Sequence, residues 1–284
     1  ITRDPGIEGG FLDSAGALVM SIEEAKSVHN IRLIALVHKN VTYCLPILEA
    51  MGYEIRAYDT PFQIEDVQNK KIGEEMRTDG CCGILEALKL YAWTWTEFDV
   101  VLSIDGDVHF HRNFDELFEL NTTLGWTHGA TADRNQELMN GGYLVIRPNM
   151  KHFNDMVEIL KEGDFRDGTG WRGSRIGWVY GGRTIQGVVP YYYLKIAVGD
   201  ETEFPRCKYN NMVEIEKCRN WTFPMVTSNH FTWCQKPWYC ITTQGQSLCD
   251  AFRDSWWKRS HRFETEILGF SEPRPYCKRK PYSY

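Results

Sequence analysis

The chain has 284 residues, 43% of them hydrophobic, with a formal net charge of −6 and an isoelectric point near 5.8. That is core enough for one large α/β domain, and the acidic balance gives no electrostatic reason to bind nucleic acid, since the one dense basic stretch is the terminal "RPYCKRKPYSY". No apolar run approaches the roughly 18 residues that cross a bilayer, so no membrane span is expected in the chain. It opens at Ile1 rather than Met and without a signal-like pattern, so upstream sequence able to hold a signal or an anchor is expected.

In chain order, "IRLIALV" (31–37) predicts a buried strand, "YCLPILEAMG" a short helix ending at Gly52, and "YEIRAYD" a second strand. "GCCGILEALKLYAWTW" (80–95) has apolar residues at helical spacing, and "FDVVLSID" follows as a third, fully buried strand. Farther on, "GGYLVIRPN" predicts a strand stopped by Pro148, and "MKHFNDMVEILKEG" an amphipathic helix stopped by Gly163. The glycine-rich region 163–183, with aromatics among its glycines, predicts a long loop near the site. This alternation predicts a Rossmann-like, mostly parallel sheet flanked by helices, in one domain with a cysteine-rich C-terminal portion. In such sheets ligands sit beyond the carboxyl ends of the strands, which is where Asp105 and Asp107 fall.

Six of the nine cysteines (Cys207, Cys218, Cys234, Cys240, Cys249 and Cys277) crowd the last third, a skew that predicts disulfides, with buried Cys44 left unpaired. Zinc would need paired C-x₂-C spacings; none occurs, and neighbours such as Cys81 and Cys82 seldom share one zinc. Sequons at Asn40, Asn121 and Asn220 add to the case for the secretory lumen, Golgi or endoplasmic reticulum, over the cytoplasm.

Two carboxylates one residue apart at a strand's end, in "VVLSIDGDVHF", can turn toward one hard divalent cation, and Gly106 lets the chain pass close to it. A metal so held can bridge phosphate oxygens. The triplet by itself also suits a polar turn, or the D-x-D-x-[TV] nucleophile motif of haloacid-dehalogenase-like phosphatases, with "KIAVGDETE" as a late acidic motif.

Its neighbours decide between these. "KLYAWTWTEFDVVLSIDGDVHFHRNFDELFEL", "MNGGYLVIRPN", "FPRCKYN" and "NHFTWCQKPW", in this order across about residues 85 to 238, resemble glycosyltransferase family 8, the glycogenin and galactinol synthase family. The resemblance implies a GT-A fold, with residues 1–120 as the nucleotide-binding half and 121–284 as the acceptor half and C-terminal region. It implies an enzyme that moves a sugar from a UDP-sugar to a glycan, protein or small-molecule acceptor with retained α-linkage and Mn²⁺, and it leaves a homodimer open. Matched by position, it implies Asp105, Asp107 and His230 as metal ligands and Lys236 on the diphosphate. Lys89, Asn140, Gly141 and Gly106 would face the donor, Asp133 would read sugar hydroxyls, and Thr2 and Arg3 would lie near the nucleotide. Manganese accepts both carboxylate oxygen and imidazole nitrogen, so this ligand set is chemically coherent.

One position departs from the family pattern. Where Asp-Gln-Gly is usual before a helix, "GGRTIQGVVPYYY" has Ile185, with Gln186 and Gly187 kept. Either Asp164 or Asp167 replaces the acid, or the reaction proceeds without a carboxylate there and relies on Gln186; the remaining reading is a nucleotide-sugar or glycan-binding protein that has lost catalysis.

Overall fold

The computed structural model describes residues 1–2, 10–129, 139–240 and 247–273. Helix α1 (Gly10–Ala25) leads into strand β1 (Ile34–His38), α2 (Leu45–Ala50), β2 (Glu54–Tyr58) and α3 (Lys70–Met76). A 3₁₀ helix (Gly83–Thr94) then feeds β3 (Val101–Ile104), β4 (Val108–Phe110), β5 (Leu124–His128) and β6 (Met139–Ile146). After α4 (Met150–Glu162) come the two-residue strands β7 (Phe165–Arg166) and β8 (Gly170–Trp171), then α5 (Ile185–Lys195) and β9 (Glu201–Phe204). The C-terminal portion carries the short helices α6 (Arg206–Tyr209) and α7 (Glu216–Arg219), strand β10 (Ser228–His230) and helix α8 (Ser247–Arg262).

The central sheet runs β3-β6-β5-β9. Strand β6 pairs antiparallel with both β3 and β5, while β5 and β9 pair in parallel, so three of the four strands point the same way. Strands β1 and β2 form a parallel pair, and the Ile1 carbonyl accepts from the His38 amide to extend the β1 edge. Apolar residues of β5, β6, α4 and α5 close one core layer, including Trp126, Leu144, Leu160 and Tyr193. This is the α/β architecture the alternating pattern predicts.

Local signals set several boundaries. The Asn149 side chain accepts from the Lys151 and His152 amides at the start of α4, and Gly163 ends that helix at φ 68°, a left-handed position that glycine occupies without a steric penalty. Region 163–183 is mostly loop, as expected. The 80–95 segment differs in detail, because its helix is 3₁₀ rather than α. With three residues per turn, positions i and i+3 eclipse, and this sets Glu86 directly beside Lys89.

Two disulfides, Cys207–Cys218 and Cys234–Cys249, cross-link the C-terminal portion, and Cys240 is also disulfide-bonded. Cys44 is buried and belongs to neither bridge, while Cys277 lies outside the described residues. Helix α8 is tied to α1 by Arg259, whose Nε lies 2.7 Å from Glu24 Oε2.

The same arginine orders a buried histidine. Its Nη1 lies 3.2 Å from His111 Nδ1, while His111 Nε2 lies 2.8 Å from Asn229 Oδ1 on β10 and the ring stacks on Phe252. The guanidinium donates to Nδ1 and the amide oxygen accepts from Nε2–H, which defines one neutral tautomer. Burial first, and the guanidinium second, push the His111 pKa well below its ordinary value. Above about pH 6.5 both folded and unfolded chains keep this imidazole neutral; below it the unfolded chain takes up a proton that the native site refuses. Stability is therefore expected to fall as pH drops below about 6.5, with His111 contributing about 1.4 kcal/mol per pH unit. Urea unfolding at pH 7 and pH 5 should show a shallower loss for His111→Gln than for the wild type, and equal losses would refute this account.

Candidate active site

Strand β3 ends at Ile104, and the chain turns at once through Asp105, Gly106 and Asp107 into β4. The Asp105 amide donates to the Gly142 carbonyl at 3.0 Å and the Val108 amide to the Asp105 carbonyl at 3.1 Å, so the first acid is fixed between β3, β6 and its own turn. Strand β4 then pairs antiparallel with β10, placing His230 opposite Val108, and the Phe231 amide donates to the Asp107 carbonyl at 3.0 Å. A residue more than a hundred positions away thus arrives beside the acids through backbone pairing alone.

The result is a compact ligand set. His230 Nε2 lies 3.4 Å from Asp107 Oδ1 and 3.9 Å from Asp105 Oδ2, and the ligand atoms of the three residues all lie within 4.8 Å of one another. Two carboxylates and one imidazole suit a divalent cation of the manganese type. The approach is possible only because Gly142 lacks a side chain, since a Cβ there would collide with Asp105 Oδ2 and lie 2.9 Å from His230 Cε1. His230 Nδ1 lies 3.2 Å from the buried Asn210 Oδ1, and Asn210 Nδ2 donates to Thr127 Oγ1 at 2.8 Å. With the amide oriented in this way its oxygen accepts from Nδ1–H, so Nε2 is the position that donates to Asp107 when protonated and offers a lone pair to a metal when not.

Two lysines complete the charge balance. Lys89 Nζ lies 2.7 Å from Asp105 Oδ1 and 3.0 Å from Glu86 Oε2, while Lys236 Nζ pairs with Asp107 Oδ2. Burial disfavours the charged form of Asp107, but the attraction of His230 and Lys236 outweighs it and holds the carboxyl well below the ordinary carboxylate range. Burial likewise works against the Lys89 ammonium, and Asp105 and Glu86 overcome it, so its pKa is raised. Helix α1 closes the other side: Phe11 packs over Gly106, and the Ser14 hydroxyl donates to the Gly106 carbonyl at 2.7 Å.

Gln186 approaches from α5, its Oε1 accepting from the Gly141 amide at 3.3 Å. The preceding Ile185 is fully buried, and its Cγ2 would lie 3.3 Å from a Cβ on Gly141, so an apolar side chain fills the position where the family pattern has an acid. Asn140 Oδ1 accepts from the Gly142 amide at 3.1 Å, which shapes the same turn. Thr2 hydrogen-bonds Cys82, and both line, with Glu86, Lys89, Asp105 and Asp107, one end of a cavity of about 1250 Å³ that continues between β1 and β3.

Asp164 and Asp167 are not among these contacts. Asp164 is paired with Arg166, and Asp167 is exposed and lies 3.3 Å from both Lys71 and Arg183. Arg3 and Asp133 lie outside the described residues. The motif reading missed Ser14, Glu86, Asn210 and Gly142, although Glu86 stands inside "GCCGILEALKLYAWTW", Asn210 inside "FPRCKYN" and Gly142 inside "MNGGYL".

No protein-family model matches the chain. It is 27% identical over 153 residues to UDP-glucuronate:xylan alpha-glucuronosyltransferase 1 of Arabidopsis thaliana, covering 54% of this chain and 20% of the plant protein. It is 27% identical over 117 residues to glycogenin of Neurospora crassa, covering 39% of this chain and 16% of the fungal protein. The chain spans a fifth or less of the length of these curated relatives. Among solved structures it is similar to the galactosyltransferase LgtC in complex with donor and acceptor sugar analogues, with TM-score 0.57 and 13% identity, covering 90% of this chain and 95% of LgtC. A second LgtC structure is that of an active-site Gln-to-Glu mutant, with TM-score 0.56 and 14% identity over 94% of each chain. The fold is GT-A, and the sequence is similar to that of family 8 glycosyltransferases.

Because Asp105 and His230 crowd the bare Gly142, Gly142→Ala is expected to weaken divalent-cation binding at least about tenfold, a loss of about 1.4 kcal/mol. Calorimetric titration with Mn²⁺ checks this, and wild-type affinity in the variant would show that Gly142 does not shape the site.

Proposed function

We propose that this chain is a metal-dependent glycosyltransferase that takes a sugar from a UDP-sugar and passes it, with retained α-configuration, to a hydroxyl of a glycan, protein or small molecule. The observation that carries this reading is the convergence of Asp105, Asp107 and His230 on one point, flanked by two lysines, with Gln186 held on the amide of Gly141, next to the Gly142 that Asp105 crowds. The names of the sequence relatives and of the LgtC complex support it.

Asp105, Asp107 and His230 would hold a divalent cation, with Mn²⁺ the best match to a mixed oxygen and nitrogen set. Bound there, the cation supplies charge neutralisation for a departing diphosphate. Lys236 and Lys89 serve the same end as point charges, Lys236 on the Asp107 side and Lys89 on the Asp105 side. Residues 1–120 would carry most of the nucleotide contacts, through Thr2, Lys89 and the Asp-Gly-Asp turn.

Retention can arise from double displacement through a carboxylate nucleophile, or from front-face attack in which a phosphate oxygen of the donor takes the acceptor's proton. Ile185 offers no nucleophile, and the Arg166, Lys71 and Arg183 contacts engage Asp164 and Asp167 elsewhere. Front-face attack is the mechanism these residues favour. Gln186 would direct its amide oxygen at the anomeric carbon as positive charge develops there, an electrostatic role that needs no proton transfer.

Asp107→Ala is expected to abolish turnover of UDP-sugar with Mn²⁺ and to remove most metal-dependent UDP binding, with the fold kept. Gln186→Ala should slow turnover by about 10- to 1000-fold, or about 1.4–4 kcal/mol, with no glycosyl-enzyme trapped on rapid quenching. A panel of UDP-sugars assayed for Mn²⁺-dependent hydrolysis decides the donor. Metal-dependent UDP binding without turnover of any donor would instead assign a binding protein, and a covalent sugar on Asp164 or Asp167 would name a nucleophile.

The secretory lumen is the compartment we favour. Support comes from the disulfides and from the exposure of all three sequon asparagines, Asn40, Asn121 and Asn220. Protein made in a secretory host should lose mass on glycosidase treatment at one or more of these positions, and should retain Cys207–Cys218 and Cys234–Cys249; fully reduced, unglycosylated material would argue for the cytoplasm.

A further inference from the structure

Cys81 and Cys82 stand apart from the bridged cysteines in position, and Cys81 is the exposed one among the described cysteines. Cys44 and the bridged Cys207, Cys218, Cys234 and Cys249 are buried, whereas Cys81 is exposed and Cys82 half-buried. The pair lies between Gly80 and Gly83, both at positive φ, 67° and 59°, so the chain makes two left-handed turns to present neighbouring thiols on one side. Their Sγ atoms are 2.8 Å apart.

A chain of polar contacts runs from this pair to the candidate metal site. The Cys81 thiol donates to Glu86 Oε1 at 2.7 Å, Glu86 Oε2 lies 3.0 Å from Lys89 Nζ, and Lys89 Nζ lies 2.7 Å from Asp105 Oδ1. Glu86 is only 8% exposed, so its charge depends on these partners rather than on water. On the other side Gly80 packs against Gly181, in the loop that leads into Gln186.

We propose that Cys81 and Cys82 are a reversible thiol–disulfide site at the rim of the donor pocket, closing to a vicinal disulfide by exchange with an oxidised low-molecular-weight thiol and thereby weakening the hold of Lys89 on Asp105. The chemistry balances. The Cys82 thiolate attacks one sulfur of a small disulfide such as oxidised glutathione, forming a mixed disulfide and expelling one thiolate. The Cys81 sulfur then attacks Cys82 Sγ, the intramolecular bond forms, and the second small thiol departs. Both protons and both electrons leave the protein pair and end on two reduced small thiols.

Cys82 suits the attacking role. The close contact with the Cys81 sulfur lowers its pKa, burial opposes this, and the Thr2 hydroxyl lowers it further, leaving it at about 7. Lability follows from covalent geometry. Residues joined by a trans peptide have Cα atoms about 3.8 Å apart, below the roughly 4.4–6.8 Å of relaxed disulfides, so a vicinal bridge is strained and easily reduced. Metal binding is a poorer use of this pair. Sulfurs 2.8 Å apart, each about 2.3 Å from one zinc, would subtend about 75° there, far from the tetrahedral angle.

Closure removes the S–H donor that Glu86 Oε1 accepts from. Lys89 is then the remaining partner named above for that buried carboxylate, and Glu86 competes with Asp105 for the ammonium more strongly than before. That coupling rests on the proposed nucleotide site; the redox chemistry does not.

The test equilibrates the whole chain in glutathione buffers from reducing to oxidising, then alkylates, digests and weighs the peptides. The peptide holding Cys81 and Cys82 should lose two hydrogens, reversibly, at ratios where Cys207–Cys218 and Cys234–Cys249 are already closed. Alkylation of both thiols across the whole series, or capture only as a stable glutathione adduct, would overturn the site. In the same buffers, UDP binding with Mn²⁺ should weaken roughly tenfold on oxidation of the wild type. Cys82→Ser should show no dependence on the glutathione ratio, and an equal shift in both proteins would overturn the link to Lys89. If UDP fails to bind in any buffer, the mass measurement still decides the redox site.

Discussion

Two like charges placed one residue apart at a strand's end repel each other, and the described architecture answers that repulsion. Asp105 meets Lys89, Asp107 meets Lys236, and His230 stands between them. Each partner comes from a different part of the chain: a 3₁₀ helix before β3, the loop after β10, and β10 itself. So compensated, Asp107 stays ionised although it is buried, the state in which a carboxylate serves as a ligand.

Holding those partners in place is difficult for the C-terminal portion, which between residues 205 and 240 consists of short helices, 3₁₀ turns and the three-residue strand β10. Elements of that length supply little cooperative stability of their own. Cross-links and buried polar contacts do the work. Cys207–Cys218 brackets Asn210, and Cys234–Cys249 fastens the segment between His230 and Lys236 to α8. Arg259 on α8 reaches His111, which in turn holds Asn229 beside His230. Oxidation state is therefore tied to the geometry of the candidate site twice, structurally through these bridges and, on our proposal, dynamically through Cys81 and Cys82.

Ile185 shows how a single side chain redirects mechanistic expectation. An aliphatic group buried against Gly141 is no nucleophile, whereas the neighbouring Gln186 rests its amide oxygen on the Gly141 amide. The small residues Gly141 and Gly142 make both approaches possible from a single strand: Gln186 reaches one glycine amide, and Asp105 occupies the space beside the other.

Much of this was legible in the residues themselves. The apolar run "VVLSI" before Asp105, the Asn149 and Gly163 signals around α4, and the crowding of cysteines after residue 200 are local patterns, and local patterns report local physics: strand formation, capping and cross-linking, though β3 is half-buried rather than fully buried as its run predicts. The ligand set Asp105, Asp107 and His230 was reached through resemblance, because nothing in a single sequence relates positions more than a hundred residues apart. What tertiary structure alone decided is everything that depends on such distances. It set the β4–β10 pairing that brings His230 to Asp107, the Asn210 contact that orients its ring, and the collision that keeps position 142 bare. It also set the 3₁₀ winding that turns Glu86 and Lys89 into neighbours, because apolar spacing tells a helix from a strand but does not distinguish an α turn from a tighter one.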